Sequence, residues 1–260
     1  MKNAWLHRCA ILVAILALIV IALGALLTGE TRAFPGAATP STVSAPSLEQ
    51  VHRIAGYAVA ILTLGLALWV RGLAGWIALA AVIAEGLSTG IPAVHAFDAQ
   101  VFFALVVAAA VLTSKSWQSG PVPVESQWKP LQALGMAVPF FVFLQIALGA
   151  MFRHNAIGVL WHILNAMIVL VVILVAGIFV LRQYPEHPSL RPAALTLVIV
   201  TGVQVLLGFT VYMVLLISSE NNLGLIITGV VHVVNGALTL AAGVVFAMQM
   251  QRNLIQLSRV

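Results

Sequence analysis

The sequence predicts an all-α integral membrane protein: eight transmembrane helices arranged as two pseudo-symmetric four-helix bundles. Three observations carry that prediction. Of the 260 residues, 62% are hydrophobic and only 7% charged, whereas soluble domains carry roughly 25% charged residues. Apolar runs of about 20 residues, the length that spans a bilayer, recur along the whole chain. Finally, Ile21-Ala22-Leu23-Gly24-Ala25 near the end of the first run returns as Ile146-Ala147-Leu148-Gly149-Ala150 near the end of the fifth, which marks a duplication.

The runs follow in order. Cys9–Thr28 comes first, behind Lys2 and Arg8. It has the layout of a signal peptide, but its part in the repeat predicts a retained helix. The outer loop Gly29–Ser47 leads to Val51–Val70. Leu73–Pro92 and Ala96–Thr113 are interrupted by Glu85 and Asp98. Ser114–Pro130, with Gly120-Pro121-Val122-Pro123, reads as a linker. Leu131–Phe152, Ala156–Leu181, Ala193–Ile217 and Leu223–Met248 complete the set, broken at Arg153-His154-Asn155, Arg182–Pro192 and Ser218–Asn222. The expected division is a first half at residues 1–117, a linker at 118–130 and a second half at 131–260.

Charge sets the orientation. With the N-terminus inside, nine Lys and Arg residues fall inside (Lys2, Arg8, Arg71, Lys115, Lys129, Arg182, Arg191, Arg252 and Arg259), and three fall outside (Arg32, Arg53 and Arg153). The positive-inside rule then predicts both termini in the cytoplasm, in a bacterial inner membrane. The net charge of +5 is therefore a topology signal, not a nucleic-acid signal. The single cysteine, Cys9, excludes an internal disulfide and any Cys-x-x-Cys zinc pattern. Each half has an even number of helices, so the halves enter from one side and relate by an axis along the membrane normal, unlike inverted repeats.

Ionisable side chains inside a membrane are costly and mark functional sites. His52, His95, His162 and His232 each fall in the outer part of an even-numbered run, within roughly 15 Å of the outer surface at 1.5 Å per residue. Heme iron takes axial nitrogens above and below a flat ring. Two facing helices of a bundle supply one each, which predicts His52 with His95 in one half and His162 with His232 in the other. A lone intramembrane histidine also serves as an interhelical hydrogen bonder; four at matching positions favour ligands. No two histidines share a helix at i, i+3 or i, i+4, which disfavours zinc or copper. Arg53 and Arg153, on the outer side, are candidates to meet heme propionates. Asp98, Asn165 and Asn235 stand three residues after His95, His162 and His232, on the same helix face, as candidates to orient the rings directly or through water.

Glu49 precedes His52 by three residues, whereas Val159 stands at the matching position before His162. The two sites should therefore differ. A carboxylate there can relay protons or simply favour a helix N-terminus. Glu85 reads as a buried acid bonded to a neighbouring helix. Gln145 and Gln204, in the recurring Gln-x-x-Leu-Gly, read as helix-packing glue.

These residues together resemble the heme A synthase (cytochrome oxidase assembly) family. The resemblance lies in Glu49-Gln50-Val51-His52-Arg53, in His95-Ala96-Phe97-Asp98-Ala99-Gln100-Val101-Phe102-Phe103, and in Gln145-Ile146-Ala147-Leu148-Gly149-Ala150-Met151-Phe152-Arg153-His154, in order and over nearly the whole chain. It implies eight helices in two similar halves and oxidation of the heme O C8 methyl group to the formyl group of heme A. It implies further that His162 and His232 hold a heme b, that His52 and His95 flank the substrate heme O, and that Glu49 acts in catalysis. Expected partners are heme O synthase, an electron donor and the lipid bilayer, with a homo-oligomer compatible. The chain departs from the family in its first outer loop, which lacks both a cysteine pair and a Pro-Asp-Trp-Pro-type segment. The alternative to this chemistry is a diheme b-type electron-transfer protein that modifies neither ring.

Overall fold

A computed structural model describes residues 4–33, 47–70, 72–126, 128, 130–217 and 223–256. Its elements are α1 (Ala4–Ala33), α2 (Leu48–Val70), α3 (Gly72–Ser88), α4 (Pro92–Thr113), the short α5 (Lys115–Gln118), β1 (Val124–Ser126), α6 (Leu131–Arg153), α7 (Val159–Gln183), α8 (Leu190–Ile217), α9 (Leu223–Asn253) and β2 (Leu254–Gln256). Seven of the helices are long and apolar enough to cross a membrane, while α3 contributes only a shorter apolar stretch, Gly75–Ser88. Large apolar side chains such as Ile15, Ile61, Phe140, Met167 and Leu206 face outward, as an integral membrane protein requires. The sequence positions Lys2, Arg71, Lys129, Arg259 and most of the first outer loop lie outside the described residues.

Several boundaries differ from expectation. The third run ends at Ser88, not at Pro92, because Pro92 opens α4. Proline suits the first helical turn, where its missing N–H has no partner to lose. His95 is consequently the fourth residue of α4 rather than a residue before it. The sixth run begins at Val159 instead of Ala156, because Asn155 is left-handed (φ 59°) and Gly158 is extended. The first run continues to Ala33 and the seventh begins at Leu190. His7 lies within α1, ahead of the expected first run, and its Nδ1 bonds the Ala110 carbonyl of α4 at 2.9 Å.

Helices α1 to α4 pack in sequence and close back on α1; α6 to α9 do the same and close back on α6. The halves meet where α4 and α1 lie on α9 and where α4 lies on α6. Exchanging α1 with α6 and α4 with α9 maps this pattern of neighbours onto itself. Val106 of α4, Val138 of α6 and Phe246 of α9 are fully buried, and Phe97 of α4 stands edge-on to Phe143 of α6 with ring centres 4.6 Å apart.

The connection between the halves is built into the structure rather than a free linker. Ser114 caps α5 by accepting from the Trp117 amide at 3.2 Å. Strand β1 pairs in parallel with β2, Val124 opposite Leu254. The Val122 amide donates to Asn253 Oδ1 at 2.9 Å, and the Val122 carbonyl meets Nε2 of buried His187 at 2.8 Å. Pro121 and Pro123 offer no N–H, so the one amide between them is the one the fold satisfies.

Candidate functional site

The four histidines meet in two pairs at the opposite end of the bundles from this small sheet. His52 of α2 faces His95 of α4 with ring centres 6.3 Å apart and planes at 87°. His162 of α7 faces His232 of α9 at 6.2 Å and 77°. All four are half-buried.

The repeated sequence explains the seats of these rings. A Cβ added at Gly24 would lie 2.9 Å from Cε1 of His52, and one added at Gly149 would lie 2.9 Å from Cε1 of His162. Gly208 plays the same part for His232, at 3.2 Å. Each glycine stands on the helix preceding its histidine, and any side chain there would occupy the space of the ring. Real carbon contacts lie near 3.5–4.0 Å, so the alanine-sized gap is filled by imidazole.

Polar partners then separate the halves. In the second half, Gln145 Nε2 donates to the His162 main-chain carbonyl at 2.9 Å and lies 3.0 Å from the ring Nδ1. That Nδ1 also faces the Gln145 main-chain carbonyl at 3.2 Å. A proton on Nδ1 satisfies the carbonyl and leaves the Nε2 lone pair facing the Gln145 Nε2 donor at 3.2 Å. Asn165, 5% exposed, donates to Gln145 Oε1 at 2.8 Å. The set recurs as His232, Gln204 and Asn235, with Gln204 Nε2 3.2 Å from His232 Nδ1 and Asn235 donating to Gln204 Oε1 at 2.8 Å. Two expectations are thereby corrected. The glutamines do more than glue helices, since they touch the rings. The asparagines reach the histidines through the glutamines, because their short side chains point to the facing helix.

The first half is built otherwise. Val20 stands four residues before Gly24, where Gln145 precedes Gly149, and His52 Nδ1 is buried without a hydrogen-bond partner. Glu85 Oε1 of α3 lies 3.1 Å from His95 Nδ1. The distance is that of an ion pair, no hydrogen bond joins the two, and His95 Nδ1 and Glu85 Oε2 are both buried without a hydrogen-bond partner. Asp98, the expected partner of His95, instead lines a cavity of about 280 Å³ between α3 and α4 with Ala81, Ala84 and Phe102. Glu85 is thus the residue that sequence reasoning left outside the site. Its position at the end of the helix before His95 was the available signal.

Glu49 sits at the rim. Ser47 and Gln50 form a reciprocal capping box at the start of α2, Ser47 N–H to Gln50 Oε1 at 2.9 Å and Gln50 N–H to Ser47 Oγ at 3.2 Å. Glu49 lies in that first turn, 65% exposed and 3.9 Å from Arg53. No hydrogen bond or ion pair joins either residue to a histidine ring among the described residues. Arg153 crosses from α6 to the first half, where its guanidinium donates to the Ala25 carbonyl of α1.

The donor set decides what these pairs can hold. Among the described residues no three His, Cys, Asp or Glu side chains gather, whereas a tetrahedral metal takes four ligands. Heme iron receives four nitrogens from its own ring and takes the remaining axial ligands from the protein. Metal–imidazole bonds of about 2.0–2.1 Å on either side of one ion put two ring centres roughly 6 Å apart. Both pairs meet that separation, and the glycine seats fit the same group.

No protein-family model and no curated protein matches the chain.

Proposed function

We propose that this is a heme A synthase-like membrane oxidoreductase, holding heme b in the second half and oxidising the C8 methyl of heme O in the first. One observation carries the reading: two histidine pairs of equal ring separation, each built on a repeated glycine seat. His162 and His232 would hold the resident heme b, clamped by Gln145 and Gln204. His52 and His95 would flank heme O. A bound heme supplies one-electron exchange between ferric and ferrous iron. The chain's own residues bind and orient. Gln145 and Gln204 hold the rings in place, Arg53 and Arg153 offer cations at the rim for propionates, and Glu49 stands one turn outward of His52 to take or give a proton. In this reading α3 is the eighth span, the membrane is a bacterial inner membrane and both termini are cytoplasmic.

Exposure of Glu49 at the rim, paired only with Arg53, favours a second reading. The chain would be a diheme b-type electron-transfer protein with no chemistry on either ring. The test is expression in a host that makes heme O, purification in mild detergent, and chromatography of the extracted hemes with mass detection. Heme b together with hydroxylated heme O or heme A supports the synthase. Two hemes b per chain support electron transfer. A colourless protein refutes both.

A further inference from the structure

The two histidine pairs differ in the chemistry behind the rings. In the second half the partners of His162 and His232 are neutral: carboxamides and a main-chain carbonyl. In the first half the neighbour of His95 is a carboxyl group, Glu85 Oε1 at 3.1 Å from Nδ1, contributed by α3. No Asp or Glu stands anywhere on α8, the counterpart of α3, or on α6. Glu85 is only a quarter exposed at its side chain, and its second oxygen is buried without a hydrogen-bond partner.

A ligating histidine hands its other ring N–H to a second group, and a carboxylate there raises the basicity of the ligand. A more basic imidazole favours ferric over ferrous iron, because the extra positive charge is better compensated. A neutral main-chain carbonyl, as at His162 Nδ1, does so less, and the Gln145 and Gln204 Nε2 amides can only donate. Hydrogen bonding behind the axial ligand is one of the levers by which a protein sets a heme potential.

We infer that Glu85 is a positioning residue for His95, holding its Nδ1 so that Nε2 faces the iron, and that it sets the first-half heme to a lower potential than the amide-backed second-half heme. Electrons would then pass downhill from the first half and rest in the second. This rests on the heme-ligand reading above, but not on which of the two activities is correct.

The test uses the full-length, heme-loaded protein in detergent. Redox titrations of wild type, Glu85→Gln and Glu85→Asp are followed in the Soret band, and low-temperature EPR resolves the two ferric centres. Wild type should show two separated midpoints. Glu85→Gln should raise the lower one by at least a tenfold change in the ferric-to-ferrous ratio, about 59 mV for one electron, and leave the upper one in place. Glu85→Asp should return it toward wild type. Loss of the first-half heme from Glu85→Gln with retention in Glu85→Asp also supports the role. An unchanged lower midpoint in Glu85→Gln, equal shifts of both midpoints, or heme loss from both variants would overturn it. If wild type holds no bis-histidine heme, the ligand reading falls too, which distinguishes that failure from this one.

Discussion

Replacing Gly149 by alanine tests the ring seat directly. The new Cβ would lie 2.9 Å from His162 Cε1, and ordinary contact begins at 3.4 Å, so the ring or helix must give by roughly 0.5 Å, more than the ~0.2 Å that metal–ligand distances tolerate. Against this, alanine gains about 1 kcal/mol of helix propensity over glycine, while overpacking a filled site costs about 1–3 kcal/mol. The balance is a loss of up to about 2 kcal/mol, concentrated on the ligand. The same substitution at Gly56, where nothing lies within 4 Å of the added carbon, gains propensity at no steric cost and serves as the control. The assay is heme content per chain by pyridine hemochrome, with thermal unfolding followed by circular dichroism. Gly149→Ala should lose second-half heme and melt lower, Gly24→Ala should lose first-half heme, and Gly56→Ala should match or exceed wild type. Full heme content with an unshifted Soret band in Gly149→Ala would refute the idea that the glycine makes room for the ring.

Three further outcomes follow from the same geometry. His162→Ala and His232→Ala should each strip the second-half heme and leave the first, read by heme stoichiometry; normally ligated heme in both would refute the pairing. Asn165→Ala removes the donor to Gln145 Oε1 and, by interhelical bonds in membranes, should cost about 1 kcal/mol; SDS-titrated unfolding would show it, with Asn235→Ala behaving alike. Glu49→Ala should keep the second-half heme and abolish formyl-heme production; unchanged production would remove Glu49 from catalysis.

Much of this arrangement was legible in the residues. Hydropathy located the helices because each span must satisfy its own backbone in lipid, and one histidine in each even-numbered run paired the histidines within each half. The glycine in that repeat turned out to carry the ring seat, a meaning that needs the facing helix to be seen. Gln145 and Gln204 were visible as polar residues but not as ring partners. The signal was their place one turn before the glycine, which brings the amide and the gap to the same imidazole. The Glu85–His95 contact depends on the three-residue turn between α3 and α4, and that turn was obscured by assigning Pro92 to the wrong helix. Helix ends were the least legible feature, since Asn155 in a left-handed conformation and a proline at a first turn shift boundaries without changing hydropathy.

The seam between the halves carries a further consequence. Helix α9 packs on α4, its own counterpart, and the α1–α9 and α4–α6 contacts exchange under the same rotation. Such a surface is self-complementary in the manner of a two-fold homodimer, where one patch meets a copy of itself. A lone four-helix unit presenting the α6–α9 face would therefore already hold the geometry needed to pair with its twin. Joined in one chain, the two units need not be identical: one carries glutamines behind its imidazoles and the other a glutamate.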